Sequence, residues 1–256
     1  MSRCNARVFV VIPTLRDPPI YALRSLFKQT LKPQKIIIVA GSRKLEEIVS
    51  RWAGEFKGLV EVTYYRPDMM EHVGVRVGKA LNYVFERENL QQYDYLLKLD
   101  ADAVLREKCL EDCVNREADL IGLGYFMLIR MKSFLKVLGG RWPVTPGDDA
   151  YIAHAFRSLG LKVEPMPPDI IVLRKSGVGG NWRYYFYRGV DDYRAGINPI
   201  MMLKIVFRLS YKRRTLLPLF TLVGYVRALT GRVKRFEFAP LVFKSTLKIP
   251  SQRAKN

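Results

Sequence analysis

The sequence predicts an α/β protein built around a mostly parallel sheet. Strand-like and helix-like segments alternate through the first 100 of the 256 residues, which is the pattern of repeated βα units. The fourth strand-like run, residues 95–99, leads directly into Asp100 and Asp102, two carboxylates separated by one residue. Sheets of this class bind ligands beyond the carboxyl ends of their strands. These observations therefore predict the fold class and also the edge of the sheet where a site would lie.

Each element is predicted from the arrangement of its apolar residues. In buried strands these residues form a continuous run, and in helices they recur every three to four residues. The predicted strands are residues 8–12, 35–40, 59–65 and 95–99, with one or two more within 118–131. The predicted helices are residues 20–29, 45–56, 75–87 and 148–159. From residue 200 onward two apolar helices are predicted, separated by the basic run 212–214. We therefore divide the chain into an α/β domain, residues 1–200, and a basic helical appendage, residues 201–256.

Positive charge is concentrated at the C-terminal end of the chain. Lys and Arg number 43 against 24 Asp and Glu, which gives a formal net charge of +19. Residues 203–256 hold thirteen of the basic residues and one acid, Glu237, so this segment carries +12. Residues 1–173 are nearly balanced, with 25 basic and 21 acidic residues. The distribution predicts an ordinary domain followed by a part that meets an anionic partner.

A nucleic acid is not the partner that this pattern favours. Binding of single strands needs basic residues interleaved with aromatics over a binding face. Residues 182–188 have that composition, but the nearly balanced segment 1–173 does not. A basic nucleic-acid-binding protein therefore remains a minor alternative, and we expect no nucleic acid partner.

The cysteine and histidine content narrows the choice of compartment and metal. Three cysteines give no disulfide framework, and two histidines argue against a His/Cys zinc site. The chain runs from Met1 into its first apolar strand without the pattern of a signal peptide. No apolar run reaches the roughly 18 residues that span a bilayer. We expect a cytoplasmic protein, and a peripheral location on the inner face of the cell membrane stays open.

The residues alone give Asp100 and Asp102 two interpretations. Two carboxylates with little cationic company repel each other, and a hard cation such as Mg²⁺ or Mn²⁺ relieves the repulsion while it bridges to phosphate oxygens. A solvated turn after a strand is the alternative, because Asp is a common turn former. The short Asp-x-Asp pattern leaves both open.

Six segments taken together indicate a protein family more specifically than any one of them does. They are residues 10–15, 23–30, 33–39, 78–82, 99–103 and 147–160. Among them are Gly78-Lys79-Ala80, Asp100-Ala101-Asp102 and Gly147-Asp148-Asp149. In this order and spacing the chain resembles a family 2 glycosyltransferase of the GT-A fold, a Rossmann-like sheet flanked by helices, over residues 7–200.

The resemblance implies an inverting, metal-dependent hexosyltransferase. Such an enzyme moves a sugar from a nucleotide-diphospho-sugar to a hydroxyl of a glycan, a polysaccharide or a lipid-linked acceptor, with Mg²⁺ or Mn²⁺ as its cofactor. It implies that Asp102 binds the metal and that Asp100 contacts the ribose, or the metal through water. It implies that Asp149 is the general base that takes the proton of the acceptor hydroxyl. Asp148 is assigned to the donor site and is the less favoured base, with helix capping as its alternative.

Further donor contacts follow from the resemblance and from its departures. The family's acidic residues after the second strand are absent here, where residues 39–42 have no carboxylate. Contacts with the base are therefore assigned to polar residues near the ends of the first two strands. The other donor contacts are assigned to a helix and to an aromatic segment. The assigned residues are Thr14, Arg16, Ser42, Lys79, Asn82 and Arg183. Lys79 and Asn82 alternatively form an exposed polar face of their helix, and Arg183 alternatively lies on a packed aromatic helix.

Two other enzyme classes remain as alternatives. A sugar-phosphate nucleotidyltransferase shares the α/β architecture and the metal carboxylates, but it needs a glycine-rich loop after the first strand, and residues 13–18 contain no glycine. A retaining glycosyltransferase of similar fold stays open, because a sequence does not show stereochemistry. A Gln-x-x-Arg-Trp motif is absent, which argues against a processive polymerase.

The first helix of the appendage predicts a contact with an anionic membrane surface. Lys204, Arg208 and Lys212 follow one another at four-residue spacing and form one stripe of a helix whose other positions are largely apolar. That is the composition of a helix lying in a membrane interface. Packing of the same helix on the α/β domain, with a solvated basic rim, is the alternative.

Overall fold

The computed structural model describes residues 5–15, 17–56, 58–173 and 182–247. The chain forms two compact units, residues 1–175 and residues 176–256. Arg16, one of the predicted base contacts, lies outside the described residues.

The first unit is built on a seven-stranded sheet and a two-stranded one. Its strands are β1 Val8–Thr14, β2 Lys35–Ala40, β3 Val60–Tyr64, β4 Tyr95–Leu99, β5 Ala103–Val104, β6 Leu120–Ile121, β7 Phe126–Arg130, β8 Val163–Glu164 and β9 Ile171–Val172. The large sheet has the order β3-β2-β1-β4-β7-β6-β8, and β5 pairs with β9. Strands β3, β2, β1 and β4 run parallel to one another, whereas β7 runs antiparallel to both β4 and β6. The predicted α/β class with a mostly parallel sheet is confirmed.

Six α-helices cover this sheet in the part of the unit that the structure describes. They are α1 Ile20–Phe27, α2 Arg43–Ala53, α3 Val73–Phe85, α4 Cys109–Asn115, α5 Met131–Leu138 and α6 Asp148–Ser158. The interior strand β1 has its residues buried on both faces, with Val8, Val10 and Ile12 in one apolar cluster and Phe9 and Val11 in the other. A strand covered on both sides needs a continuous apolar run rather than an alternating one. That is why residues 8–12 were predictable as a strand.

The segment 118–131 differs from its prediction in its ending. It contains β6 and β7, joined through Gly122 and Gly124, both of which have positive φ angles of 80° and 77°. The last residue of the segment, Met131, is already the first residue of helix α5. Two glycines in the left-handed region make the tight reversal that turns β7 antiparallel.

The second unit is helical. Its helices are α7 Trp182–Arg194, α8 Pro199–Arg213, α9 Leu219–Thr230 and α10 Ala239–Leu247. One apolar cluster holds them together, formed by Tyr193, Ile197, Met202, Val206, Tyr225, Ala228 and Val242. Within the described part of the chain, no helix has the length and apolar character needed to cross a bilayer.

Helices α7 and α9 touch through their backbones. A Cβ at Gly189 would lie 1.9 Å from the carbonyl oxygen of Thr221, and a Cβ at Gly224 would lie 1.9 Å from the carbonyl oxygen of Phe186. Only glycine fits at such a crossing. Because α7 packs in this way on α9, the division between the units falls at residue 175, whereas the sequence placed it at residue 200.

Substitution of Gly224 tests this crossing. We expect Gly224→Ala to lower the free energy of unfolding of the second unit by about 2–3 kcal/mol or more, because the new methyl group meets rigid backbone atoms. Gly54→Ala is the matched control, since a Cβ there has no atom within 4 Å, and its effect should stay within about 0.5 kcal/mol. Urea unfolding followed by circular dichroism measures both. Equal stabilities of the two variants would contradict the close crossing.

Candidate active site

The turn after β4 holds the two aspartates of the Asp-x-Asp segment. The backbone N–H of Asp100 donates to the carbonyl oxygen of Tyr125 at 2.8 Å, and the N–H of Ala103 donates to the carbonyl oxygen of Asp100 at 3.1 Å. The N–H of Leu173 donates to the carbonyl oxygen of Asp102 at 2.9 Å. The turn is therefore fixed by its backbone. No described residue bonds to the carboxylate of Asp102, which stays available for a ligand.

A buried lysine lies beside this turn. Lys98 is on the central strand β4 with 8% of its side chain exposed, and its ammonium donates to Oδ1 of Asp100 and, at 2.7 Å, to the carbonyl oxygen of Gly124. Burial lowers the pKa of Lys98, but the carboxylates of Asp100, Asp148 and Asp149 together raise it above its ordinary value. The lysine is therefore a cation, and it lies near Asp100, Asp148 and Asp149.

This corrects one premise drawn from the sequence. The two aspartates after β4 do not lack cationic company, because Asp100 is ion-paired with Lys98. Residues two apart on a strand point to the same face, so the spacing of Lys98 and Asp100 carried the signal. Asp100 and Asp102 are therefore not equivalent, since only the first has a cationic partner among the described residues.

Helix α6 brings the second acidic pair to the same place. A Cβ added at Gly124 would lie 3.8 Å from Oδ2 of Asp149, so this carboxylate lies next to the glycine whose carbonyl oxygen accepts from Lys98. The other oxygen of Asp149 accepts from the N–H of Ala150 at 2.8 Å. The end of β4, the turn before β7 and the start of α6 thus meet, and they gather carboxylates from distant positions in the chain.

Asp148 has surroundings unlike those of Asp149. The indole N–H of Trp142 donates to Oδ2 of Asp148 at 2.7 Å. Burial raises the pKa of Asp148 to about 6, although Lys98 and Trp142 both act to lower it. The N-cap of α6 is Gly147, and Asp148 is the first residue of the helix. Asp148 is therefore not the N-cap residue, although it lies in the first turn of α6.

Asn82 positions Trp142. Its amide donates to the carbonyl oxygen of Trp142 at 2.9 Å and accepts from the N–H of Trp142 at 2.6 Å. Nearby, a Cβ at Gly78 would lie 2.7 Å from the carbonyl oxygen of Pro143, so α3 packs directly on the backbone that leads to α6. Both polar ends of the Asn82 amide are thus used within the protein, and its predicted contact with the nucleotide stays a prediction.

The remaining predicted donor contacts have structural partners of their own. Thr14 is 4% exposed and its hydroxyl donates to the carbonyl oxygen of Asp17 at 2.6 Å. Ser42 caps α2 by accepting from the N–H of Leu45 at 3.2 Å. Both lie at the edge where β1 and β2 end, because Thr14 pairs with Ala40 in the parallel register. That is also the edge where β4 ends, so the structure gathers these residues with Asp100 on one side of the sheet.

Of the three basic residues proposed for the donor, the two that the structure describes lie on different units. Lys79 is on α3 and forms an ion pair with Glu71. Arg183 is on α7 in the second unit, exposed, with its guanidinium carbon 5.6 Å from the ring centre of Trp182. The structure describes each unit separately, so the roles of both residues remain predictions.

The donor atoms at the turn are compatible with a hard divalent cation. Mg²⁺ is usually bound through one or two carboxylates, with water and phosphate oxygens completing the shell. The carboxylate of Asp102 fits that requirement, whereas one oxygen of Asp100 already accepts from Lys98. Among the described residues, no group of three or more His, Cys, Asp or Glu side chains is arranged to hold a metal. Any ion at this turn would therefore take most of its ligands from the substrate and from water.

Comparison with known proteins gives likenesses among solved structures only. No family model and no curated protein matches the chain. S. aureus TarS is 14% identical with a TM-score of 0.49, over 72% of this chain and 39% of that one. TarS 1-349 in complex with UDP gives the same identity and TM-score over 72% of this chain and 64% of that one. The glycosyltransferase GlyE of Streptococcus pneumoniae TIGR4 is 16% identical with a TM-score of 0.41, over 63% and 45%.

This chain spans less than two thirds of the length of the chain in each of these three solved structures. The family of the chain, and any activity that it shares with them, therefore remain proposals.

Proposed function

We propose that the first unit is a metal-dependent, inverting glycosyltransferase that uses a nucleotide-diphospho-sugar. The observation that carries the proposal is the convergence of Asp100, Asp148 and Asp149 on the buried Lys98 at the carboxyl edge of a mostly parallel sheet, with Asp102 in the same turn as Asp100. One pair follows the central strand and the other begins a helix. Sheets of this kind place ligands at that edge, and carboxylates from two elements can serve two ends of one reaction.

Asp102 would meet the diphosphate side of the donor. A Mg²⁺ or Mn²⁺ ion held there would supply charge stabilisation for the leaving diphosphate. The contribution of the chain is to hold the carboxylate in place through the backbone bonds of the turn. Lys98 pairs with one oxygen of Asp100 and orients the side chain, so that its second oxygen is free to accept from a ribose hydroxyl or from a water on the metal.

Asp149 would meet the acceptor side. The acceptor hydroxyl must lose a proton as it attacks the sugar, and a carboxylate within hydrogen-bond reach can take it. Asp149 has one oxygen bonded to the backbone of its own helix, which fixes the side chain and leaves the second oxygen for the acceptor. The buried cation Lys98 is close enough to interact electrostatically with this carboxylate. We infer that the acceptor is a glycan or a lipid-linked hydroxyl.

A donor screen tests the proposal. The full chain would be incubated with UDP-, GDP-, CDP- and TDP-sugars in the presence of Mn²⁺, Mg²⁺ or a chelator, and nucleotide release and calorimetric binding would be measured. We expect one nucleotide to bind with metal and its sugar nucleotide to be hydrolysed slowly or transferred. Formation of a nucleotide sugar from a nucleoside triphosphate and a sugar phosphate would instead support the nucleotidyltransferase alternative.

Two finer parts of the proposal need their own measurements. The anomeric configuration of the product, read by NMR, distinguishes inversion from retention. A cytoplasmic location on the inner face of the cell membrane remains a prediction from the sequence.

A further inference from the structure

Helix α8 presents an apolar stripe to solvent. Ile200, Leu203, Phe207 and Tyr211 are 59%, 43%, 64% and 89% exposed. Their spacing of three and four residues places them on one side of the helix. The opposite side carries residues such as Met202, which is buried in the core of the second unit. Packing of the unit therefore uses one face of α8 and leaves a second apolar face without a partner among the described residues.

Basic residues border this stripe. Lys204, Arg208 and Lys212 each follow a stripe residue directly in the chain and are exposed, so they form a cationic edge beside it. No acidic side chain among the described residues pairs with them. The acids of α7 are already engaged, since Asp191 lies 3.9 Å from Arg194 and Asp192 lies 3.7 Å from Arg188.

The corner between α8 and α9 continues the same composition. Arg214 ends α8 in the left-handed region with φ 50°, and Leu216, two residues further, is 74% exposed. Arg213 is bonded within the unit, since its guanidinium donates to the hydroxyl of Tyr185 at 2.8 Å. Tyr211, Lys212, Arg214 and Leu216 thus place two exposed apolar side chains and two cations close together in the chain.

We propose that this outer face of α8, with the adjoining corner, binds the surface of an anionic lipid bilayer. The docking face consists of Ile200, Leu203, Lys204, Phe207, Arg208, Tyr211, Lys212, Arg214 and Leu216. Interfacial helices of this composition bury their apolar side to roughly 5–10 Å while their basic residues stay at the headgroups. The inference goes beyond sugar transfer, and it would stand if the chemistry of the first unit were different.

Charge complementarity selects this partner over others. The segment 203–256 carries +12, so a second copy of the chain would bring like charges together on the same face. A nucleic acid would satisfy the cations, but it has no use for exposed aliphatic residues such as Ile200, Leu203 and Leu216. A neutral bilayer would bury the apolar stripe and leave the cations unused. An anionic bilayer satisfies both features.

Vesicle flotation with the full chain tests the proposal. The probes are vesicles of phosphatidylcholine alone and vesicles of phosphatidylcholine mixed with phosphatidylglycerol, at low and at physiological salt. We expect retention on the anionic vesicles and much less on the neutral ones. Salt should weaken binding, because it screens the charges over about 8–10 Å.

Matched variants separate the contributions. Lys204→Gln/Arg208→Gln/Lys212→Gln should weaken binding to anionic vesicles by about a hundredfold, as expected for three basic residues near the surface. Phe207→Ser/Tyr211→Ser should also weaken it, and the loss should persist at high salt. The control Lys28→Gln/Arg51→Gln/Lys108→Gln removes the same charge from exposed positions of the first unit and should bind nearly as the native chain.

Several results would overturn the proposal. One is failure of the native chain to float with anionic vesicles at low salt. Another is an equal loss in the first-unit control, which would mean that net charge and not this face is responsible. A dimer in light scattering that Phe207→Ser/Tyr211→Ser converts to a monomer would assign the face to a second copy. Tighter, salt-dependent binding to single-stranded RNA than to vesicles would assign it to nucleic acid. Nucleotide release by the same variants reports on sugar transfer separately.

Discussion

Asp102→Asn is expected to lower sugar transfer by at least about a hundredfold at saturating donor. The substitution removes the charge of the carboxylate that has no bonding partner among the described residues, and metal stabilisation of a leaving group is worth several kcal/mol. The backbone bonds that define the turn involve the carbonyl oxygen of Asp102 and not its side chain. Folding should therefore be unaffected, and urea unfolding should give the native midpoint.

The Asp102→Asn variant needs a control in which the charge changes by the same amount elsewhere in the chain. Asp112→Asn alters an exposed carboxylate on α4 that is not part of the turn, and should leave the rate unchanged. Raising the concentration of Mn²⁺ should recover part of the rate of Asp102→Asn if the lost interaction is with the metal. A rate close to that of the native chain at ordinary metal concentration would remove Asp102 from the site.

Strands β1, β2 and β4 were predictable because they are buried on both faces. A continuous apolar run such as residues 8–12 has only one stable environment, so the sequence determines it. The two-residue strands β5 and β9 have no such run and exist because the turn after Asp100 and the segment ending near Leu173 pair with each other. No local pattern gives a pairing between segments that lie so far apart in the chain.

The candidate site was predictable in its carboxylates and not in their supports. Asp100, Asp102 and Asp149 follow from motif order, and the structure gathers the first and the third around Lys98. Trp142, which bonds to Asp148, is held by Asn82 from a distant part of the sequence, and its role depends on how α3 packs. Lys98 could have been recognised from the sequence as a residue of the site, since it interrupts an otherwise apolar buried strand two residues before an aspartate.

The helical unit shows where apolar patterns mislead. Helices with apolar residues on several sides are expected to be buried on several sides. In α8 one apolar face is buried and another is exposed, so composition alone assigned neither. Burial in the structure separates the packing residues, such as Val206, from the outer stripe.

Asp149→Asn is expected to separate binding from chemistry. Donor affinity, measured by calorimetry with metal, should stay within a few-fold of the native value, because the residue lies on the acceptor side in the proposed mechanism. The turnover number should fall by about a hundredfold to ten-thousandfold, as expected when a general base is lost. Weaker donor binding with a normal rate at saturation would instead make Asp149 a donor ligand.

Asp148→Asn is the variant that decides between the two neighbouring carboxylates. An amide oxygen can still accept from the indole of Trp142, and Lys98 keeps its bond to Asp100. Because the fold raises the pKa of Asp148 to about 6, its ionisation costs stability as the pH rises through that value, so the amide variant should fold at least as stably at neutral pH.

The pH dependence of the rate identifies the base. A base must be ionised to act, so the rate of transfer rises with pH through the pKa of that base. Asp148 would be the base if the rate of the native chain rose with a midpoint near pH 6 and if Asp148→Asn abolished turnover. In that case Asp149→Asn would keep both the turnover and its rise with pH. We expect the reverse, with Asp148→Asn retaining measurable transfer and Asp149→Asn losing it.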